Sequence, residues 1–169
     1  MKKTFFKKSM VAMMIFAVIL CNSSALIAQR ASFNGDWKLD ESKSELGEFG
    51  GRAARSLKAD QKDNAITVTR VTPGFNGGDP VTSTITLTYD GKVVESEGFG
   101  GAKRKSTAKW SDDDKTLVIS SNISLERDGQ TFEIKSVENW TITTEGLLSV
   151  VTNSTSPRGE STIKSIYTK

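Results

Sequence analysis

Val81-Thr82-Ser83-Thr84-Ile85-Thr86-Leu87-Thr88-Tyr89-Asp90-Gly91 is the stretch that decides the fold. In an extended chain, side chains alternate between two faces. Ile85, Leu87 and Tyr89 therefore share one face, and Thr84, Thr86 and Thr88 share the other. Asp90-Gly91 then supplies a tight hairpin turn into Lys92 to Glu97. A half-buried strand followed by a hairpin is the unit, and the chain repeats it in both directions.

Upstream, Phe33 to Leu39, Arg52 to Asp60 and Ala65 to Thr72 read as strands, the last two joined by the polar turn Gln61-Lys62-Asp63-Asn64. Downstream come Arg104 to Ser111, Thr116 to Leu125, Gln130 to Thr143, Leu147 to Ser154 and Glu160 to Thr168. Asp112-Asp113-Asp114, Asp128-Gly129, Glu145-Gly146 and Pro157-Arg158-Gly159 are the turns between them. No helical period persists, and Asp40 to Glu48 has room for a single turn of helix. The fold class is all-β. Successive hairpins without a long crossover predict an up-and-down antiparallel meander barrel of 8–10 strands, since closure removes exposed strand edges. A β-sandwich is the alternative, because alternation alone does not say which strands pair.

Residues 1–28 read as a signal peptide and 29–169 as a single barrel domain. Lys2, Lys3, Lys7 and Lys8 make a basic start, Met10 to Leu20 is an apolar run of 11 residues, and small residues follow at Ser23, Ser24, Ala25 and Ala28. The run is too short for a membrane span, which needs about 20 residues. Export to the periplasm or beyond is expected, from a bacterium, with cleavage after Ala25 or Ala28 and no transmembrane span in the mature chain. Cys21 offers a lipid anchor as an alternative, although Leu20 occupies a position where small residues usually precede a lipidated cysteine.

The leader also distorts the charge balance. The 23 Lys and Arg of the whole chain fall to 19 once its four lysines are removed, against 20 Asp and Glu. Without a basic footprint in the domain, nucleic-acid binding loses its support. No histidine exists and the single cysteine lies in the leader, so a disulfide, Ser-His or Cys-His catalysis and the usual zinc ligands are all unavailable. The reading expects no metal and no cofactor. Asp112 to Asp114 lacks the spaced oxygens of a calcium loop and reads as a solvated turn.

Gly35-Asp36-Trp37 on the first strand resembles the Gly-x-Trp opening of lipocalins and fatty-acid-binding proteins, and Ile166-Tyr167-Thr168-Lys169 resembles their closing strand. The chain looks most like the small exported bacterial proteins called lipocalin-like, most of them without an assigned function. The resemblance implies that Trp37 plugs one end of a barrel that closes between the first and last strands. It carries no ligand contacts over.

Three loops repeat a theme around Phe49, Phe75 and Phe99, each flanked by glycines, after the first, third and fifth strands. In a meander these share one rim, where Arg52, Arg55, Lys103, Arg104, Lys105, Arg127 and Arg158 also gather. The opposite rim collects Asp60, Asp63, Asp90, Asp112 to Asp114 and Glu145. A basic, aromatic mouth formed by Phe49, Phe75, Phe99, Arg52, Arg104 and Arg127 suits a small apolar or amphiphilic molecule with an anionic head. The same loops also read as ordinary turns whose Phe tuck into the core.

Tyr89, Trp110, Glu138 and Trp140 are the candidate interior contacts. Glu138 lies on an otherwise apolar face, where it meets either a polar ligand group, an arginine partner or a shifted register. The function expected is an exported, monomeric binding protein that is not an enzyme. Its alternatives are an envelope interaction module with a filled barrel and a carboxylate-based hydrolase using Glu138 with Glu95 or Glu97.

Overall fold

Ten antiparallel strands form one continuous sheet in the order β4-β3-β2-β1-β10-β9-β8-β7-β6-β5. The structure, a computed structural model, describes residues 30–74, 77–98, 101–127 and 129–169, with the backbone alone at 49, 50 and 127. The leader read over residues 1–28 lies outside them. The strands are β1 (Gly35–Leu39), β2 (Ser56–Gln61), β3 (Ala65–Thr72), β4 (Val81–Thr88), β5 (Val94–Glu97), β6 (Lys103–Trp110), β7 (Leu117–Arg127), β8 (Gln130–Ile142), β9 (Leu148–Ser156) and β10 (Gly159–Thr168). Two 3-10 turns, Glu41–Lys43 and Gly47–Arg52, occupy the β1–β2 connection.

The sheet curls into a nearly closed barrel, so the sandwich alternative is set aside. β10 returns to β1, with Lys38 opposite Thr168 and Leu39 opposite Tyr167. The break lies elsewhere, between β4 and β5, which run side by side without a ladder. Gly91 (φ +76°) turns the chain there in a conformation that L side chains rarely adopt.

One end is plugged by aromatic rings, because the first segment folds under the barrel. Phe33, fully buried, stacks on Trp110 (centroids 5.5 Å) and meets Trp140 edge-on (5.9 Å). The Trp37 indole donates to the Phe33 carbonyl at 2.8 Å. Gln61 fastens the same segment, its Oε1 accepting from the Phe33 N–H (2.8 Å) and its Nε2 donating to the Ala31 carbonyl (3.0 Å). Across the outside of the plug, Arg30 lies over Tyr89 and Trp110 and bridges to Asp114 at 2.9 Å. Full burial of rings this size contributes about 1.5–3 kcal/mol each, and the edge-on and offset pairs add further. This end is closed by packing.

Candidate functional site

Above the plug, cross-strand pairs on β7 and β8 mark layers along the barrel axis. Leu117 faces Trp140, Ile119 faces Glu138, Ser121 faces Ser136, Ile123 faces Ile134 and Leu125 faces Phe132. The apolar plug therefore gives way to a polar layer, and that in turn to a second apolar layer nearer the loops. Period-two alternation turns Arg70 of β3, Arg104 of β6 and Ser83 of β4 inward, where they line one cavity with Glu138.

Arg70 and Glu138 make a bidentate pair, Nη1 to Oε1 and Nη2 to Oε2, both at 2.7 Å. The Trp140 indole donates to Oε2 of the same carboxylate at 2.9 Å, and the Arg70 guanidinium lies 5.6 Å from the Trp140 ring centroid. Burial pushes the Glu138 carboxyl up. The Arg70 charge and hydrogen bonds, with Trp140 and Arg104, outweigh burial and hold it below the ordinary carboxylate range. Burial likewise pulls Arg70 down, and Glu138 more than restores it. Arg104 has no such partner. Burial and the Arg70 charge lower its affinity for its proton, and Glu138 offsets this only in part.

Next to these groups, the Ser106 and Ser121 hydroxyls share a buried hydrogen bond of 2.8 Å. A cavity of about 20 Å³ lies among Arg70, Arg104, Glu138, Ser106 and Ser121, walled by Val68, Ile85, Leu87 and Ile119. It admits one water-sized particle. Toward the loops the interior loosens: Ile123 and Ile134 are half-buried, and inward-facing Phe132 and Val81 are 38% and 39% exposed.

The structure brings together part of the constellation read from the sequence. Glu138 and Trp140 meet in the polar layer. Tyr89 and Trp110 belong to the plug, 5.5 Å apart, and do not line the cavity. Arg104, expected at the portal, faces the interior. Arg52 is exposed at the end of the second 3-10 turn. Phe75 and Phe99 lie outside the described residues, as do the side chains of Phe49 and Arg127, although alternate loops of the meander do share one end.

The basic rim is also less concentrated than expected, since Arg55 pairs with Glu41 and Lys105 with Glu95 (3.0 Å). Glu95 and Glu97 are both exposed, opposite Lys105 and Lys103 of β6, and neither meets Glu138. Arg70 was missed. Its signal was present, because Ile66, Val68 and Arg70 follow one another on the inward face of β3.

Fold and site together define a nearly closed, ten-strand up-and-down barrel, compatible with a lipocalin-like architecture, with a charged layer inside. Comparison with family models, with curated proteins and with solved structures returns no match to this chain. Among the described residues, no helix is long and apolar enough to cross a membrane.

Proposed function

We propose that this is an exported, monomeric binding protein that takes the anionic end of a small amphiphile into the barrel from the loop end. One observation carries the reading: Arg104, a cation without an ion-pair partner among the described residues, faces the interior opposite Ile123, within the loosely packed layer of Ile123 and Ile134. A carboxylate or similar head reaching Arg104 gains a charge-assisted hydrogen bond in a low-dielectric setting. A short apolar tail then covers the half-exposed side chains above it. The leader motif of residues 1–28 supports export. Glu138 has both oxygens engaged and its proton affinity lowered, which suits a fixed counter-charge better than a general acid.

Displacement of a fluorescent fatty acid by short-chain carboxylates is the test, together with native mass spectrometry of the processed chain. Saturable displacement that an Arg104→Met change removes supports the reading. Equal displacement by the corresponding neutral alcohols, or none by either, overturns it.

A filled barrel acting as an interaction module is the second reading. The small cavity favours it, since about 20 Å³ accepts no organic molecule unless side chains move.

A further inference from the structure

The charges inside the barrel do not balance. Arg70 and Glu138 cancel as a pair, and Arg104 adds a second guanidinium beside them. Arg104 is half-buried, so its charge is incompletely hydrated, and arginine does not escape that cost by losing its proton. The Nε–H groups of Arg70 and Arg104 are both buried without a hydrogen-bond partner among the described residues. The neighbouring serines point the same way. In their mutual bond one hydroxyl donates, which leaves the other hydroxyl's hydrogen available to a further acceptor. Two guanidiniums and a spare hydroxyl thus line the space together with Ser83 and with the Glu138 carboxylate, whose oxygens already accept from Arg70 and Trp140.

We infer that this cavity is a site for a single monatomic anion of halide size, held by Arg104 with Arg70 and the Ser106–Ser121 pair. The volume of about 20 Å³ fits one water-sized particle as packed, whereas the several heavy atoms of a carboxylate, phosphate or sulfate require side chains to move. The walls of Val68, Ile85, Leu87 and Ile119 exclude competing water on the other sides, which strengthens the attraction. Access needs no unfolding: Ser83 on the lining is exposed, and it lies on β4, whose far edge has no ladder to β5. The inference goes beyond the proposed function, since a halide at Arg104 requires no organic cargo.

The processed chain is to be melted in mixtures of sodium chloride or sodium bromide with sodium gluconate at constant ionic strength, and crystals soaked in bromide. The expected result is a saturating rise in thermal midpoint with either halide, and an anomalous bromide peak between Arg104 and Ser106. An Arg104→Met change should weaken the apparent halide affinity by roughly tenfold or more, the loss of one hydrogen bond to a charged group. If that variant does not fold, the bromide position in the unaltered protein decides.

A midpoint that follows ionic strength alone, a water at this position, or bromide confined to surface lysines overturns the inference. A confirmed halide with no fatty-acid displacement leaves the inference standing and removes the proposed function. Displacement that is indifferent to chloride, with no bromide peak, does the reverse.

Discussion

Arg70 and Glu138 are 68 residues apart in the chain and meet face to face across the barrel interior through two hydrogen bonds of 2.7 Å. Arg70 belongs to the block β1–β4 and Glu138 to the block β5–β10. Among the described residues these blocks are joined in the sheet by the β1–β10 ladder, in which Lys38 faces Thr168 and Leu39 faces Tyr167, and by the Glu45–Lys164 bridge. The ion pair therefore adds an interior tie between the four-strand and six-strand parts, beside the Glu45–Lys164 bridge, the Arg30–Asp114 pair and the packing of Phe33 on Trp110 and Trp140.

Removing one partner leaves the other charged and buried. Glu138→Leu is expected to destabilise the fold by about 3–5 kcal/mol, while Arg70→Met with Glu138→Leu recovers most of that loss. Urea unfolding of the two single variants and the double variant measures the coupling. Additive losses would mean that the pair does not act as a unit.

The acid limb of stability should report Glu138. Its carboxyl titrates below the ordinary value of 4.5 when folded, so its contribution is fully present above that value and is lost as pH falls through the folded value. Thermal midpoints of the unaltered chain should drop in this window more steeply than those of Glu138→Gln. Parallel curves would contradict the assignment.

Both tyrosines should resist ionisation. Burial raises Tyr89 to about 12, with Arg30 opposing, and burial also raises Tyr167. A raised folded value means that the stability is present below the ordinary value of 10.0 and is lost as pH climbs from there towards 12. Ultraviolet titration of tyrosinate is expected to lack a component near the ordinary value until the chain unfolds. One normal tyrosine in the folded state would show that the plug is open to solvent.

Phe33→Ala removes a fully buried ring between Trp110 and Trp140, at an expected cost of about 3–5 kcal/mol in unfolding free energy. Tryptophan fluorescence of the folded variant should shift to the red as water reaches the plug. A loss under about 1 kcal/mol would show that neighbouring side chains collapse into the space.

Amide hydrogen exchange separates the break in the sheet from its middle. β4 amides that point towards β5 should exchange faster than those of β8, which is laddered on both sides to β7 and β9. Uniform protection around the barrel would mean that β4 and β5 pair in solution.

Much of this architecture was legible in the residues. Strand positions follow from alternation, and Ala65 to Thr72 as read from the sequence coincides with β3. Hairpin turns at Glu145-Gly146 and Pro157-Arg158-Gly159 fix neighbours, whereas the tight hairpin expected at Asp90-Gly91 does not form, since β4 and β5 share no ladder across it. The polar layer was less accessible. Glu138 was visibly out of place on its face, but its partner lies on a strand that is not its neighbour, and no local pattern encodes pairing across a barrel. Arg104 shares the inward face of Ser106 and Ala108 on β6, so its direction was legible from alternation, although its position at a strand end reads as a rim. The break between β4 and β5 left no mark, because Val81 to Thr88 has the composition of a fully paired strand.

That break has a consequence for chain connectivity. β1 and β10 lie side by side, and the Tyr89–Val93 connection crosses the one boundary where no backbone ladder exists. A circular permutant that links Lys169 back to Arg30 and opens at Gly91 would keep every strand pairing of the sheet. The order of the strands in space, rather than the order of synthesis, is what this molecule must preserve.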